Sequence, residues 1–308
     1  MPRSPEIRLP GLRIPILHED RAILAIDKPA GWQLAPEYAK RIAKNLHALL
    51  MGSVVHGDPW ARSRNIRFVR YVHRLDAPTS GVLLLARNKG AVAPLSRCFS
   101  HGGVKKIYLA AVKGQPKREN WTSRLALLPL DKQTGKVVPH KRDGKAAETR
   151  FQLIARENGN SLIACEPVSG RTHQIRVHLA EAGHPILGDP LYNPDQTIKP
   201  DDPLGLRAIA LSLKHPFTGK RIQIDAPWNK FAKSFGFEPQ AIDFDPHKMT
   251  GSAPNLDRVY RTQWAKRTKI KKTKRSAKKT TRKSARRTTK SVGKTERNER
   301  RTIRRTEK

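Results

Sequence analysis

Five apolar residues in a row, Val82-Leu83-Leu84-Leu85-Ala86, follow directly on the turn-forming run Ala77-Pro78-Thr79-Ser80-Gly81. A segment this short, apolar throughout and closed off by turn residues, reads as a buried strand. The residues leading into it, His73-Arg74-Leu75-Asp76, put one carboxylate beside a cation at the edge of a core, on a loop anchored by a rigid element. An aspartate so placed can be desolvated and aimed, as a nucleophile must be. It could equally cap the backbone of Thr79-Ser80-Gly81 as an ordinary turn residue. Asp76 and its flanks leave both roles open.

Patterning along the chain alternates strands and helices. Strands are expected over 23–26, 68–72, 106–112, 148–155 and 161–166. Helices are expected over 38–51, ended by Gly52, over 89–100, stopped by Gly102-Gly103, and over 172–182, where Ile175, Leu179 and Ala182 share a helical face and Gly183 is the cap. Residues 52–66 read as a loop. Strands 209–213 and 221–224 flank the hairpin-like Pro216-Phe217-Thr218-Gly219, and 231–237 closes the apolar patterning. Residues 1–15, rich in Pro and Arg, are expected to be a flexible segment. A catalytic domain is expected over 16–245 and a basic tail over 246–308.

The charge is extreme and uneven. The chain of 308 residues holds 62 Lys and Arg against 26 Asp and Glu, a formal net charge of +36. Residues 248–308 contribute 24 Lys and Arg against 4 Asp and Glu, a net of +20, which leaves +16 for residues 1–247. A polyanionic partner follows, nucleic acid first and an acidic membrane second. From Lys266 onward almost no apolar residue appears, so that stretch cannot bury enough surface to offset its ordering entropy and is expected to be disordered when free. A tail that serves only solubility is the alternative. No run approaches the ~18 apolar residues of a membrane span, and the first residues lack the apolar stretch of a signal peptide. Cys98 and Cys165 have neither metal nor disulfide-framework spacing and are expected to be buried free thiols in a reducing compartment.

Four blocks carry a family resemblance. They are His73-Arg74-Leu75-Asp76 followed two residues later by Thr79-Ser80-Gly81; the segment Gly170-Arg171-Thr172-His173-Gln174-Ile175-Arg176-Val177-His178-Leu179 with Gly183-His184-Pro185-Ile186-Leu187-Gly188-Asp189-Pro190-Leu191-Tyr192; the strand Lys105-Lys106-Ile107-Tyr108-Leu109-Ala110-Ala111-Val112-Lys113-Gly114; and, less specifically, Lys28-Pro29-Ala30-Gly31. Occurring along the chain in the expected order, across 16–235, they resemble the signatures of the RluA-type pseudouridine synthases. One short motif matches easily by chance; four in sequence do not. The resemblance implies an α+β fold, a mostly antiparallel mixed sheet with flanking helices and a central RNA-binding cleft. Many such proteins carry an N-terminal RNA-binding domain of the S4 type, which with about 15 residues before the core is expected to be absent here. Some have Leu-His-Ala where this chain has Leu206-Arg207-Ala208, a change expected to alter substrate contacts.

The implied reaction detaches uracil from C1′ of its ribose, turns it and rejoins it through C5. It calls for a nucleophile or charge stabiliser near C6 and C1′, a base for the C5 proton and a pocket for a flipped nucleotide. By resemblance Asp76 is the catalytic carboxylate, Tyr108 stacks beneath the uracil, and Arg171 pairs with Asp76, lowering its pKa and fixing its direction. From the residues alone, Tyr108 could be a half-buried core tyrosine and Arg171 a surface arginine at a turn. Arg74 is expected, by resemblance, to enter the RNA helix near the displaced nucleotide. His173, Gln174 and Arg176, at a helix N-terminus, are expected to bind phosphate, with capping and solvation as the alternative. His73 is expected to support the loop. His173 and His178 share no helical face and no Cys or Glu completes a set, so no metal is expected; the implied reaction needs no redox step and no external energy, and no cofactor is expected.

The expected function is therefore isomerisation of specific uridines in structured RNA, ribosomal or transfer, by a cytoplasmic monomer without an obligate protein partner. A catalytically idle RNA-binding or RNA-folding factor on the same scaffold is the alternative, and the presence of Asp76, Tyr108 and Arg171 together argues against it.

Overall fold

The computed structural model describes residues 5–34, 44–193 and 202–249. Its strands are β1 (Glu6–Leu9), β2 (Leu12–Glu19), β3 (Ile23–Lys28), β4 (Arg70–Tyr71), β5 (Ser80–Ala86), β6 (Val104–Lys113), β7 (Asn120–Ser123), β8 (Thr149–Glu157), β9 (Asn160–Pro167), β10 (Leu206–Lys214) and β11 (Arg221–Asp225). The helices are α1 (Leu46–His56), α2 (Pro59–Arg62), α3 (Lys89–Ser100), α4 (Gln174–Glu181) and α5 (Asn229–Ser234). Among the described residues the strands form one sheet in the order β1-β2-β3-β5-β10-β6-β9-β8-β7, with β11 on β10 and β4 on β5. Every pairing is antiparallel except β5 with β10. This is the α+β, mostly antiparallel architecture that the family resemblance implied.

Both faces of the central strands are covered, which is why they read as unbroken apolar runs. On β3 and β5, Leu24, Ile26, Leu83 and Leu85 pack under α1 and α2, while Ile23, Ala25, Val82 and Leu84 pack under Leu95 and Cys98 of α3. On β6, Ala110 and Val112 meet Ile175 and Leu179 of α4, and Ile107 and Leu109 meet Ala232 and Phe237. Burying each such aliphatic side chain contributes about 1.5–3 kcal/mol before entropy is counted. The parallel contact between β5 and β10 needs a glycine. Gly81 has φ +110°, and a Cβ there would lie 1.9 Å from the Ala208 carbonyl oxygen. The glycine of the Thr-Ser-Gly that ends the Asp76 turn is thus a packing requirement.

Several boundaries differ from the sequence expectation. Residues 6–15 are not loose: β1 and β2 form a hairpin around Gly11, with Ile7 and Ile14 fully buried. Gly52 does not end the first helix. Ser53 and Val54 keep it packed to His56, and Gly57, left-handed at φ 71°, caps it through its N–H to the Ser53 and Val54 carbonyls. The start expected at residue 38 lies outside the described residues. Asn45 caps the observed start by accepting from the Ala48 N–H. The expected loop over 52–66 contains α2, and the strand expected over 68–72 shrinks to Arg70–Tyr71. The segment 231–237 contains the end of α5. The expected tail beyond Met249 lies outside the described residues. No helix among those described is long and apolar enough to cross a membrane, and Cys98 and Cys165 are buried free thiols.

Candidate active site

The loop before β5 is held from beneath by one ammonium group. Lys28, at the end of β3, is fully buried. Its Nζ donates to the carbonyls of Pro29 and Ala77, both at 3.0 Å, and of Thr79 at 2.9 Å. The Gly31 N–H adds a second donor to the Ala77 carbonyl, and the Thr79 N–H closes the turn on the Asp76 carbonyl. The Lys28-Pro29-Ala30-Gly31 block therefore clamps the Asp76 turn. Burial pulls the Lys28 pKa down to about 7, against the opposing charge of Asp76. On the other side His73 accepts the Leu84 N–H through Nε2 at 3.0 Å and stacks on Phe99 with ring centroids 4.3 Å apart. Burial, helped by the charge of Lys106, lowers its pKa to about 3. His73 is a neutral support of the loop.

The Asp76 side chain is 18 % exposed, and two nitrogens converge on its Oδ2: Arg176 Nη1 at 3.7 Å and His173 Nε2 at 3.8 Å. Arg176 is buried. Its Nε and Nη2 each donate at 2.7 Å to a carboxylate oxygen of the fully buried Asp189, and its guanidinium lies 5.1 Å from the centre of the Tyr192 ring. The bidentate fork to Asp189 leaves Nη1 turned toward Asp76. Burial works against the Arg176 charge, but the Asp189 hydrogen bonds and the negative charges of Asp189 and Asp76 outweigh it and raise its pKa. Asp189 Oδ1 also accepts the N–H groups of Leu191 and Tyr192, so its loop is locked to the same pair.

This arrangement corrects four assignments, among them His173, expected on phosphate and found facing Asp76. Arg171 does not pair with Asp76; it is exposed, and its Nε donates to the Ala146 carbonyl at 3.2 Å. Arg176, expected on phosphate, takes the place beside the carboxylate. Gln174, also expected on phosphate, is buried and committed: Nε2 donates to the Glu148 carbonyl and Thr149 Oγ1, while Oε1 accepts from the Arg171 N–H and Ser169 Oγ. It clamps the turn into α4 onto β8. The reason is geometric. The chain turns at His173, which is left-handed at φ 53°, so residue 171 lies outside the turn while Arg176, inside the helix, points back at the loop.

Tyr108 sits on β6 opposite Ala208, half-buried, and packs against both the α1 core and the α4 core. Burial first, and then the charge of Asp76, raise its hydroxyl pKa well above the usual phenol value. Lys106, on the same strand and the same face, has its pKa lowered by burial to about 8, against the charge of Glu166. Arg74 is exposed two residues before Asp76. His178 is buried on Thr149 Oγ1 and the Leu125 carbonyl, and no group of three His, Cys, Asp or Glu among the described residues could hold a metal. Arg207 donates to Asp27 at 2.6 Å, Ser80 Oγ at 3.1 Å and the Pro227 carbonyl at 2.9 Å, tying three segments together. Sequence reasoning missed Lys28, Asp189 and Tyr192 as site residues, although each lies in a block it had singled out.

Residues 22–181 match the family model described as RNA pseudouridylate synthase. The chain belongs to the RNA pseudouridylate synthase family. It is similar to the ribosomal large subunit pseudouridine synthase C of Salmonella typhi, 38 % identical over 226 residues that cover 71 % of this chain and 67 % of the relative. The Escherichia coli K12 protein of the same name is 37 % identical over the same span. Among solved structures, the fold is similar to human RNA Pseudouridylate Synthase Domain Containing 1 (TM-score 0.55, 24 % identity, 70 % of this chain and 83 % of that one). Human RNA Pseudouridylate Synthase Domain Containing 4 aligns with the same TM-score and identity over 69 % and 87 %. This synthase is therefore an isomerase acting on uridine in RNA, and the convergence on Asp76 lies in the family's matched region.

Proposed function

We propose that this synthase modifies large-subunit ribosomal RNA, with Asp76 as the catalytic carboxylate, Tyr108 as the platform beneath the flipped uracil and Arg176 as the cation that faces Asp76 and aims it. The observation that carries the reading is the approach of Arg176 and His173 to one oxygen of Asp76, at 3.7 and 3.8 Å. The names of the similar bacterial proteins support the ribosomal substrate.

The isomerisation breaks the N1–C1′ bond, forms C5–C1′, and exchanges a proton on C5 for one on N1. No oxidant or reductant enters that balance. Asp76 attacks C1′ or C6 and is released when C5–C1′ has formed, and the freed carboxylate then takes the C5 proton; Tyr108, held as a phenol by burial and the charge of Asp76, stacks on the ring. Exposed Arg74 enters the RNA where the nucleotide leaves it, and exposed Arg171 lies on the rim as a phosphate contact. The basic segment 246–308 adds affinity without choosing the uridine. The enzyme works as a monomer in the cytoplasm.

Tritium release from C5-labelled RNA tests the reading. Asp76→Asn keeps size and removes the nucleophile, so turnover should fall by about a thousandfold or more with RNA affinity nearly intact. Near-normal turnover of the variant would remove Asp76 from the mechanism. Release from transfer RNA but not from large-subunit ribosomal RNA would overturn the substrate assignment.

A further inference from the structure

The Tyr192 hydroxyl stands one step behind the catalytic carboxylate. It accepts the Val137 N–H at 2.7 Å and lies 3.0 Å from His173 Nδ1, while His173 Nε2 faces Asp76 Oδ2 at 3.8 Å. We propose that Tyr192 is a positioning residue that sets the tautomer of His173, holding Nδ1 as an acceptor so that the Nε2–H points at Asp76. The inference rests on the reading of Asp76 as the catalytic carboxylate.

The argument is one of hydrogen-bond accounting. A phenol offers one proton and accepts through its oxygen. With the Val137 N–H already donating to that oxygen, the hydroxyl proton needs an acceptor. Among the described residues His173 Nδ1 is the acceptor within reach. If Nδ1 carried the hydrogen, two N–H groups would point at the same oxygen, and the hydroxyl proton would be left without a partner in a half-buried place, which costs free energy. Burial raises the Tyr192 pKa, with the Val137 N–H and the Arg176 charge opposing, so the hydroxyl keeps the proton it has to donate. A neutral imidazole with hydrogen on Nε2 then presents its positive edge to Asp76, beside Arg176 Nη1. The orientation of a histidine is set by the hydrogen bond its far nitrogen makes.

The position of Tyr192 is itself fixed. Its N–H donates to Asp189 Oδ1, its ring packs edge-on to His173 with centroids 5.7 Å apart, and Arg176 lies over its face. One residue thus touches both groups that converge on Asp76. Tyr192→Phe keeps the ring, its contact with Arg176 and its packing, and removes only the hydroxyl.

Nitrogen NMR of the full chain labelled on histidine, with the His173 signal identified by its loss in His173→Gln, reads the tautomer directly. The wild-type protein should carry the proton on Nε2, and Tyr192→Phe should shift a measurable fraction to Nδ1. Turnover of Tyr192→Phe should fall about tenfold, within the range seen when such outer partners are removed, with RNA affinity unchanged. His173→Gln, whose amide can supply an N–H near the Nε2 position, should retain more turnover than His173→Asn, and Tyr192→Phe should add no further loss in the His173→Gln background. A wild-type His173 protonated on Nδ1, an unchanged tautomer in Tyr192→Phe, or losses that add in the double variant would overturn the proposal. The tautomer measurement does not depend on turnover, so an active Asp76→Asn enzyme would defeat the carboxylate assignment and leave the Tyr192–His173 result to stand or fall alone.

Discussion

The loop that carries Asp76 and the turn that carries Arg176 meet at a single carboxylate oxygen, and they are held in opposite ways. The first is gathered around a buried ammonium whose three partners are neutral carbonyls. The second is locked by a buried arginine forked onto a buried aspartate. Neutral acceptors do not repay the desolvation of a cation as a carboxylate does, so the Lys28 pKa falls to about 7 while that of Arg176 rises. One support therefore titrates near neutrality and the other stays charged at every working pH. The comparison also separates direction from proximity: Lys28 positions the backbone under Asp76, whereas Arg176 acts on the carboxylate itself.

Breaking the charged support should have the largest effect on stability. Arg176→Met leaves Asp189 buried without its cation and should lower unfolding free energy by about 3–5 kcal/mol, measured by urea titration. Turnover should collapse too, because Asp76 loses its facing cation. A loss below about 1 kcal/mol would mean that Asp189 finds other partners and that the pair does not lock the turn.

Removing the neutral support should cost less. Lys28→Met leaves the Pro29, Ala77 and Thr79 carbonyls short of a donor, yet it also relieves the desolvation of a charge, so a net loss of about 1–3 kcal/mol is expected. Its pH dependence is more telling. The folded Lys28 releases its proton near pH 7 and the unfolded one near 10.5. Between these values the unfolded state binds more protons, so this group makes stability rise with pH, by up to about 1.4 kcal/mol per unit. Below pH 7 both states hold the proton and its contribution is flat. Urea titrations of wild type and Lys28→Met from pH 7 to 9 should differ by this slope, and parallel curves would show that Lys28 remains charged in the fold.

The smallest effect belongs to Arg171. Exposed, and bonded to a backbone carbonyl, it should change stability by less than about 0.5 kcal/mol when replaced by alanine. Turnover at saturating RNA should be nearly unchanged and RNA affinity modestly weakened. A collapse in turnover matching that of Arg176→Met would show that both arginines serve Asp76, and the distinction between them would fail.

Much of this was legible in the chain. The turn before Val82-Leu83-Leu84-Leu85-Ala86 places Asp76 at the edge of the core because turn chemistry and hydrophobic runs act locally. The same local rules mark the strands around Tyr108 and the helix that begins near His173. Gly81 was visible as a turn residue, though its reason, the approach of Ala208, was not. What local rules could not choose was which arginine of Gly170-Arg171-Thr172-His173-Gln174-Ile175-Arg176 reaches the carboxylate. The two are five residues apart, and the left-handed His173 together with the buried Gln174 clamp decides the side each faces. Nor could they show that Lys28 meets the carbonyl of Ala77, 49 residues on, or that Tyr192 meets His173, 19 residues back. The sequence by itself determined the kinds of groups, their place on loops or strands and the family. The tertiary structure alone decided the partners of each charge, because a buried charge is satisfied by whatever the packing of distant segments brings within about 3–4 Å, and spacing along the chain does not encode that distance.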